Sequence, residues 1–266
     1  MKQLIRMALT SLVKNELFWF FFAKTIAPLT YYAENSRFKA IFGKRIVMNG
    51  PFKGMKYPQT KAICSAIYPK LLGSYEYELE PLMRELCKNC YSEIVDIGCA
   101  KGYYAVGLAI QIETAKVFAF DTNPEALTLC KTMAELNNVA SRVITGAYCD
   151  AETLMALPLT GKALVISDCE GYEKELFTNK VADHLRRHEI LIEIHDFVDN
   201  SISEHIKKLF SSTHEITIYS SINDEDKIIN YNFKSLLGFQ VDTKRLILRE
   251  GRPMVMKWFY MKPKEF

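Results

Sequence analysis

The sequence predicts an α/β fold, a doubly wound, mostly parallel sheet of seven strands with a helical extension at its N-terminus. Three observations carry this. From Glu93 onward, short apolar runs alternate with segments of helical spacing. The runs are apolar almost throughout, as strands buried on both faces of a parallel sheet are. The first of them, in "IVDIGCAKGYYAVGLA" (Ile94 to Ala109), breaks at two glycines and resumes at once as an apolar helix pattern.

The elements follow in chain order. Residues 1 to about 40 read as helical. Within them "LFWFFFA" (Leu17 to Ala23) is strongly apolar but short, between Glu16 and Lys24. A membrane span needs about 20 apolar residues, and a secretory signal needs a small-residue cleavage site. Two readings stay open: a helix packed on the domain, or an interfacial helix that makes peripheral membrane contact through residues 1–40, with Trp19 and the phenylalanines inserted. "RIVMNGPFKGMKYP" (Arg45 to Pro58) alternates around Gly50-Pro51 and Gly54, the pattern of a small hairpin. "YELEPLMRELCKN" (Tyr77 to Asn89) has helical spacing. Residues 1–80 are therefore expected to form an N-terminal extension and 81–266 the sheet domain.

In that domain "EIVDIG" is a strand, with a helix from about Gly102. "KVFAFD" (Lys116 to Asp121) is the next, with a helix opening at Asn123-Pro124, a good N-cap followed by a favoured first helical residue. "RVITGAY" (Arg142 to Tyr148), "KALVISD" (Lys162 to Asp168) and "EILIEIHD" (Glu189 to Asp196) are the third to fifth strands, the last two each followed by a helix. "HEITIYS" (His214 to Ser220) and "MVMKWFYMK" (Met254 to Lys262) supply two more.

The net charge of +3 is spread along the chain, so no basic stripe argues for nucleic acid. Seven scattered cysteines, an odd number, fit a reducing, cytoplasmic setting better than a disulfide framework. Cys87 and Cys90 form a lone CxxC without the further ligands that a zinc site needs. The sequence carries no signal of oligomeric state.

Ligands of such sheets bind outside the carboxyl ends of the strands, which here carry Asp96, Asp121, Asp168 and His195. A dinucleotide site wants GxGxxG, whose middle glycine admits a pyrophosphate. This turn is Gly98-Cys99-Ala100-Lys101-Gly102, without that glycine. Asp96 adds a negative charge, a poor neighbour for phosphate and a good one for a cation. Backbone groups at Gly98 and Ala100, with Asp96 behind them, suit the aminoacid end of S-adenosylmethionine. Asp121 suits the two hydroxyls of a ribose, which does not by itself separate that cofactor from NAD. The plainer alternatives are a structural turn residue at Asp96 and a helix cap at Asp121.

"VDIGCAKGYYAVGLA" with "AFDTNPEALTLC" resembles the first two motifs of class I S-adenosylmethionine-dependent methyltransferases. "SDCEGYEKELF" (Ser167 to Phe177) followed by "ILIEIHDF" (Ile190 to Phe197) resembles the D-x-E-G-x-E signature and later acidic strand of FkbM-type methyltransferases. "PKLLGSYEYELEP" (Pro69 to Pro81) is similar to a segment that precedes the first motif in bacterial members. The resemblance runs from about Gly50 to Phe197. It implies a Rossmann-like sheet with an antiparallel last strand, and methyl transfer, most often to a hydroxyl of a sugar or natural product. By position it also implies that Asp96, Gly98 and Gly102 meet the aminoacid end, that Asp121, with Thr122 beside it, meets the ribose, and that Asp150 meets the adenine amine. Lys101 departs from the pattern and would set a like charge beside a cationic cofactor unless it points to solvent.

Methyl transfer is an in-line displacement in which the protein aligns the acceptor and manages its proton. A hydroxyl is a weak nucleophile, so a general base helps. Asp168 is the first candidate for base or acceptor orientation; the alternative is a carboxylate that binds cofactor or caps the next helix. Glu170 shares that role or fixes the turn at Gly171. Glu173 suits a helix N-terminus. His195 can titrate near neutrality and take the proton, or be structural. The resemblance adds Tyr75 and Glu76 as a lid or acceptor contact. Asp168, Glu170 and His195 could also hold a divalent metal, but the sequence does not force one and none is expected. The expected function is a cytoplasmic S-adenosylmethionine-dependent O-methyltransferase acting on a saccharide or related small molecule. The rivals are an NAD(P)-dependent oxidoreductase and a non-catalytic module of the same fold at a membrane.

Overall fold

The computed structural model describes residue 24, residues 27–59 and residues 66–264. The stretch Leu17 to Ala23, with its membrane reading, lies outside them. Among the described residues no helix is long and apolar enough to cross a membrane.

The sheet has seven strands: β1 (Glu93–Ile97), β2 (Lys116–Phe120), β3 (Val143–Gly146), β4 (Ala163–Ser167), β5 (Glu189–Ile194), β6 (His214–Ser220) and β7 (Lys257–Pro263). Their order is β3-β2-β1-β4-β5-β7-β6. β1 pairs in parallel with both β2 and β4, and β5 continues from β4 in parallel. β7 runs antiparallel between β5 and β6, as the resemblance implies. Every expected strand is present. The apolar runs are explained by burial: each residue of β1, β4 and β5 is buried. The chain leaves β1 towards β2 on one side and returns to β4 on the other. That reversal opens a crevice at the carboxyl ends of β1 and β4.

The helix after β1 (Tyr103–Gln111) is buried along seven of its nine residues. The Arg142 guanidinium donates to the carbonyls of Ala109, Ile112 and Ala115 at its far end. The helix after β2 (Pro124–Leu136) starts at Asn123, whose side-chain oxygen accepts from Glu125 N and Ala126 N, as the Asn-Pro pair predicts. Between β3 and β4 lies a short helix (Ala151–Ala156) that the sequence reading does not contain.

Two compact units divide the chain. The described part of one is the helix Ala27–Phe42 with Leu237–Phe239. The other is Arg45–Leu236 with Gln240–Phe266 and holds the whole sheet. Residues 45–80, expected with the N-terminal extension, thus belong to the sheet-bearing unit. The hairpin is one antiparallel bridge, Ile46 to Lys56. Phe52, 1 % exposed, anchors it: its ring lies edge-on to Tyr103 and Tyr104 and fills the space over Gly107, where a Cβ would come within 2.6 Å of it. Gly107 therefore lets the hairpin seat on the helix that follows β1.

Candidate functional site

The turn after β1 is tied down by the strand beside it. Gly98 N–H and Cys99 N–H both donate to the Phe120 carbonyl at the end of β2. Gly98 has φ +83°, and a Cβ there would lie 1.7 Å from the carbonyl oxygen of Asp168, so only glycine allows β1 and β4 to end this close together. Ala100 holds φ +45° without being glycine, and its N–H donates to Asp121 Oδ2 at 2.8 Å. Asp121 Oδ1 accepts from Asn123 N–H at 2.7 Å. The Asp121 carboxylate thus joins the glycine turn to the next helix. Each of its oxygens keeps a further lone pair for a ligand donor.

Two of the backbone donors expected to serve a cofactor, at Gly98 and Ala100, are engaged inside the protein. An ammonium is itself a donor and requires acceptors, so the carbonyls and carboxylates of the turn are the relevant groups. Asp96, 3 % exposed, stands behind the turn and accepts from Ala105 N–H at 2.9 Å. Burial pushes its carboxyl up to about 7, against the opposing pull of that hydrogen bond and of Lys70. Lys70 is itself buried, 4.2 Å over the ring of Tyr75.

These residues line a cleft of about 290 Å³, with Asp96, Gly98, Ala100, Asp121, Thr122 and Asp168 on its wall. Gly102 does not line it; it opens the following helix at φ +86°. Asp150 does not line it either. Its side chain caps the helix Ala151–Ala156 by accepting from Thr153 N–H at 2.8 Å, and its hydrogen bonds to Thr153 keep its carboxyl below the usual range. The cleft wall there comes from Ala147, Tyr148 and Cys149 instead. Lys101 neither lines the cleft nor reaches solvent, being 5 % exposed.

Tyr75, Asp168 and Glu170 also line a second, smaller cavity of about 140 Å³, whose walls include Glu193, His195 and Arg252. The two cavities therefore meet at the end of β4. Here the structure brings Asp168, Glu170 and His195 together. His195 Nε2 lies 3.5 Å from Asp168 Oδ1 and 3.4 Å from Glu170 Oε2. On its other side Nδ1 is 2.5 Å from Glu173 Oε1. Glu173 begins its helix as expected, but its carboxylate is fully buried against His195.

Burial pulls His195 down, yet Glu170, Glu173 and Asp168 outweigh it and raise the imidazole to about 10. His195 is thus a cation at neutral pH. This revises the expectation that it takes a proton near neutrality. Asp168 is raised by burial and by Glu76, held back by His195, and reaches about 6, so it is largely ionised at neutral pH. Its Oδ1 is buried without a hydrogen-bond partner. Glu193 is pushed up to about 8, first by burial and then by Asp168, against Arg252.

The second cavity contains residues the sequence reading did not select. Arg252 Nη2 contacts Glu76 Oε1 at 2.7 Å and its Nε contacts Glu250 Oε2 at 3.0 Å, while Nη1 bonds Glu193. Glu76 also accepts from the Tyr104 hydroxyl. Glu250 is held in turn by the fully buried Lys227, at 2.8 Å. Glu193 had a signal, a carboxylate inside an otherwise apolar strand; Arg252, in the irregular segment before β7, had none. Glu76 (φ +49°) and Glu170 (φ +54°), like Ala100, are non-glycine residues in the left-handed region. Such strain collects at functional sites.

Residues 79–155 match the family model of the methyltransferase small domain. This segment holds β1 to β3 and the glycine turn. A curated relative, the ribosomal protein L11 methyltransferase of Acinetobacter baylyi, is 42% identical over 53 residues, which is 20% of this chain. The chain spans only 17% of that relative's length. Among solved structures, the precorrin-6y C5,15-methyltransferase of Geobacter metallireducens has a TM-score of 0.45 at 12% identity, covering 72% of this chain and 88% of that one. An O-methyltransferase of Bacillus cereus has a TM-score of 0.46 at 10% identity, covering 71% and 80%. Together, the methyltransferase match over the glycine turn and the acceptor-rich cleft support S-adenosylmethionine as the cofactor.

Proposed function

We propose that the protein is an S-adenosylmethionine-dependent methyltransferase of FkbM type that methylates a hydroxyl of a saccharide or related small molecule in the cytoplasm. The observation that carries this reading is Asp168. Its Oδ1, buried, accepting no hydrogen bond and 3.5 Å from His195 Nε2, stands where the cleft over the glycine turn meets the second cavity. The cofactor supplies an electrophilic methyl. Asp96 and the carbonyls of the turn receive the cationic aminoacid end, and Asp121 receives the ribose. Gly102 shapes the turn, Thr122 lies along the ribose side, and Tyr148 takes the adenine side that the resemblance assigns to Asp150.

On the acceptor side, Asp168 is the base. It is ionised at neutral pH, and a hydroxyl entering from the second cavity gives its proton to Oδ1 as the oxygen attacks. His195, held by Glu173, keeps Asp168 ionised and fixes its direction. Glu170 and Arg252 border the acceptor. The stretch Asp168-Cys169-Glu170-Gly171-Tyr172-Glu173 supports the FkbM assignment, since each of its acidic residues faces His195. Peripheral membrane contact through residues 1–40 belongs to the same proposal, and liposome flotation with and without those residues tests it. Transfer of labelled methyl from S-adenosylmethionine into fractionated glycans, lipids and small metabolites tests the activity. Label in a hydroxyl-bearing glycan fraction, lost in Asp168→Asn, is the expected result. Label confined to a protein or nucleic-acid fraction overturns the assigned acceptor.

A further inference from the structure

The group of side chains at the end of β4 and β5 goes beyond a base and its support. One ligand atom each from Asp168, Glu193 and His195 lies within 4.8 Å of the other two. Ligands at about 2.0–2.2 Å from a cation stand about 3 Å apart when adjacent and about 4.4 Å apart when opposed, so side-chain rotations that shorten these separations would close this group around one ion.

Each of the three is prepared as a ligand. His195 is 2 % exposed, and its Nδ1 is fixed by the buried Glu173 carboxylate, which leaves Nε2 facing Asp168. A histidine whose second nitrogen donates to a carboxylate is the usual arrangement at metal centres, because it sets the tautomer and raises the basicity of the other nitrogen. Glu193 is held at one oxygen, Oε1, by Arg252, as ligating carboxylates are held in turn. Asp168 Oδ1 is buried and accepts no hydrogen bond, with His195 Nε2 3.5 Å away. Glu170 Oε2, 3.4 Å from Nε2, supplies a further oxygen at the exposed side. The cavity that these residues line also carries Glu250, so its carboxylates outnumber its cations, Arg252 and His195.

We infer that Asp168, Glu193 and His195 form a binding site for one divalent cation of the Mn²⁺ or Mg²⁺ class. Oxygen-rich sets with one imidazole suit Mn²⁺ best among these. On binding, the cation would release the protons of His195 Nε2 and of Glu193 to solvent. It would face the second cavity, where it would meet an acceptor hydroxyl and lower the pKa of that group; in the cation-bound state this takes the place of proton transfer to Asp168 Oδ1. The site itself does not depend on the methyl-transfer reading; only this use of it does.

The test is titration of the metal-free full chain with Mn²⁺, followed by the loss of the free-ion paramagnetic resonance signal. S-adenosylhomocysteine is titrated in parallel by calorimetry. One Mn²⁺ per chain is expected. The affinity should fall about 10- to 100-fold in Glu173→Gln, which removes the carboxylate charge behind His195 while keeping an oxygen to accept from Gly171 N–H. It should fall further in Glu193→Gln, with circular dichroism unchanged in both. Absence of Mn²⁺ and Mg²⁺ binding by the folded chain overturns the inference, as does Mn²⁺ binding unaffected by Glu193→Gln. Failure of the cofactor to bind while Mn²⁺ binds removes the methyltransferase reading and leaves the metal site standing.

Discussion

His195 and Glu173 meet inside the protein with Nδ1 2.5 Å from Oε1, and each side chain is almost wholly withdrawn from solvent. The pair joins the end of β5 to the short helix beyond β4 and sets the charge state of the site. His195 is raised to about 10, well above the ordinary histidine value. A raised folded-state pKa stabilises the protein fully below the unfolded value of about 6.5, and this stabilisation is lost as pH rises through about 10. The wild-type protein should lose stability over that window, and His195→Gln should show a shallower slope. Chemical denaturation at pH 6.5, 8 and 10 checks this; parallel slopes would remove the charged His195.

Asp168 carries a second pH dependence. With its carboxyl at about 6, methyl transfer should rise as pH increases through that value. In Asp168→Asn this limb should vanish and the rate should fall about 10²- to 10⁴-fold, the usual contribution of a general base. Binding of S-adenosylhomocysteine should stay within about threefold, under about 0.7 kcal/mol. Rates and affinities measured on the same preparation separate the two effects.

Gly98 is required for two independent reasons, and a paired substitution separates them. Gly54→Ala meets only the conformational penalty of a positive φ, since nothing lies within 4 Å of its Cβ, and should cost about 1 kcal/mol. Gly98→Ala adds a collision with the Asp168 carbonyl, so β1 and β4 must part. It should cost about 2 kcal/mol or more and abolish cofactor binding. Urea unfolding of both variants is the measurement.

Arg252 contacts three acidic side chains that are almost fully withdrawn from water, those of Glu76, Glu193 and Glu250. Arg252→Ala removes the cation that these three buried side chains share and should destabilise the protein by about 3–5 kcal/mol, as removal of one partner from a buried ion pair does. Arg252→Lys keeps the charge without the planar fork and should recover only part of that loss. Equilibrium unfolding at pH 7 reads both.

The sheet was legible because its strands are buried on both faces and read as unbroken apolar runs. The glycine turn was legible because Gly98 answers a steric demand that no other residue meets. The helix Ala151–Ala156 was not, because it is a single short turn-and-a-half whose start depends on the Asp150 cap rather than on a periodic face. That same cap engages Asp150 Oδ1. Residues from Arg45 onward group with the sheet through contacts such as that of Phe52 with Gly107, which no local pattern records. At the site, Asp168, Glu170 and His195 could be chosen as strand-end residues. Arg252, Glu193 and Glu250 converge through long-range contacts that no spacing records, and the charge on His195 depends on those neighbours rather than on its own identity.

The proposed function requires the crevice at β1 and β4 to bind S-adenosylmethionine through Asp121. Calorimetric titration of the full chain with S-adenosylhomocysteine tests it most directly. One molecule bound per chain is expected, with affinity reduced about 10- to 100-fold in Asp121→Ala, the worth of hydrogen bonds to a charged group. Absence of binding by the folded protein, saturable binding of NAD(P) in its place, or an affinity indifferent to Asp121→Ala would contradict it.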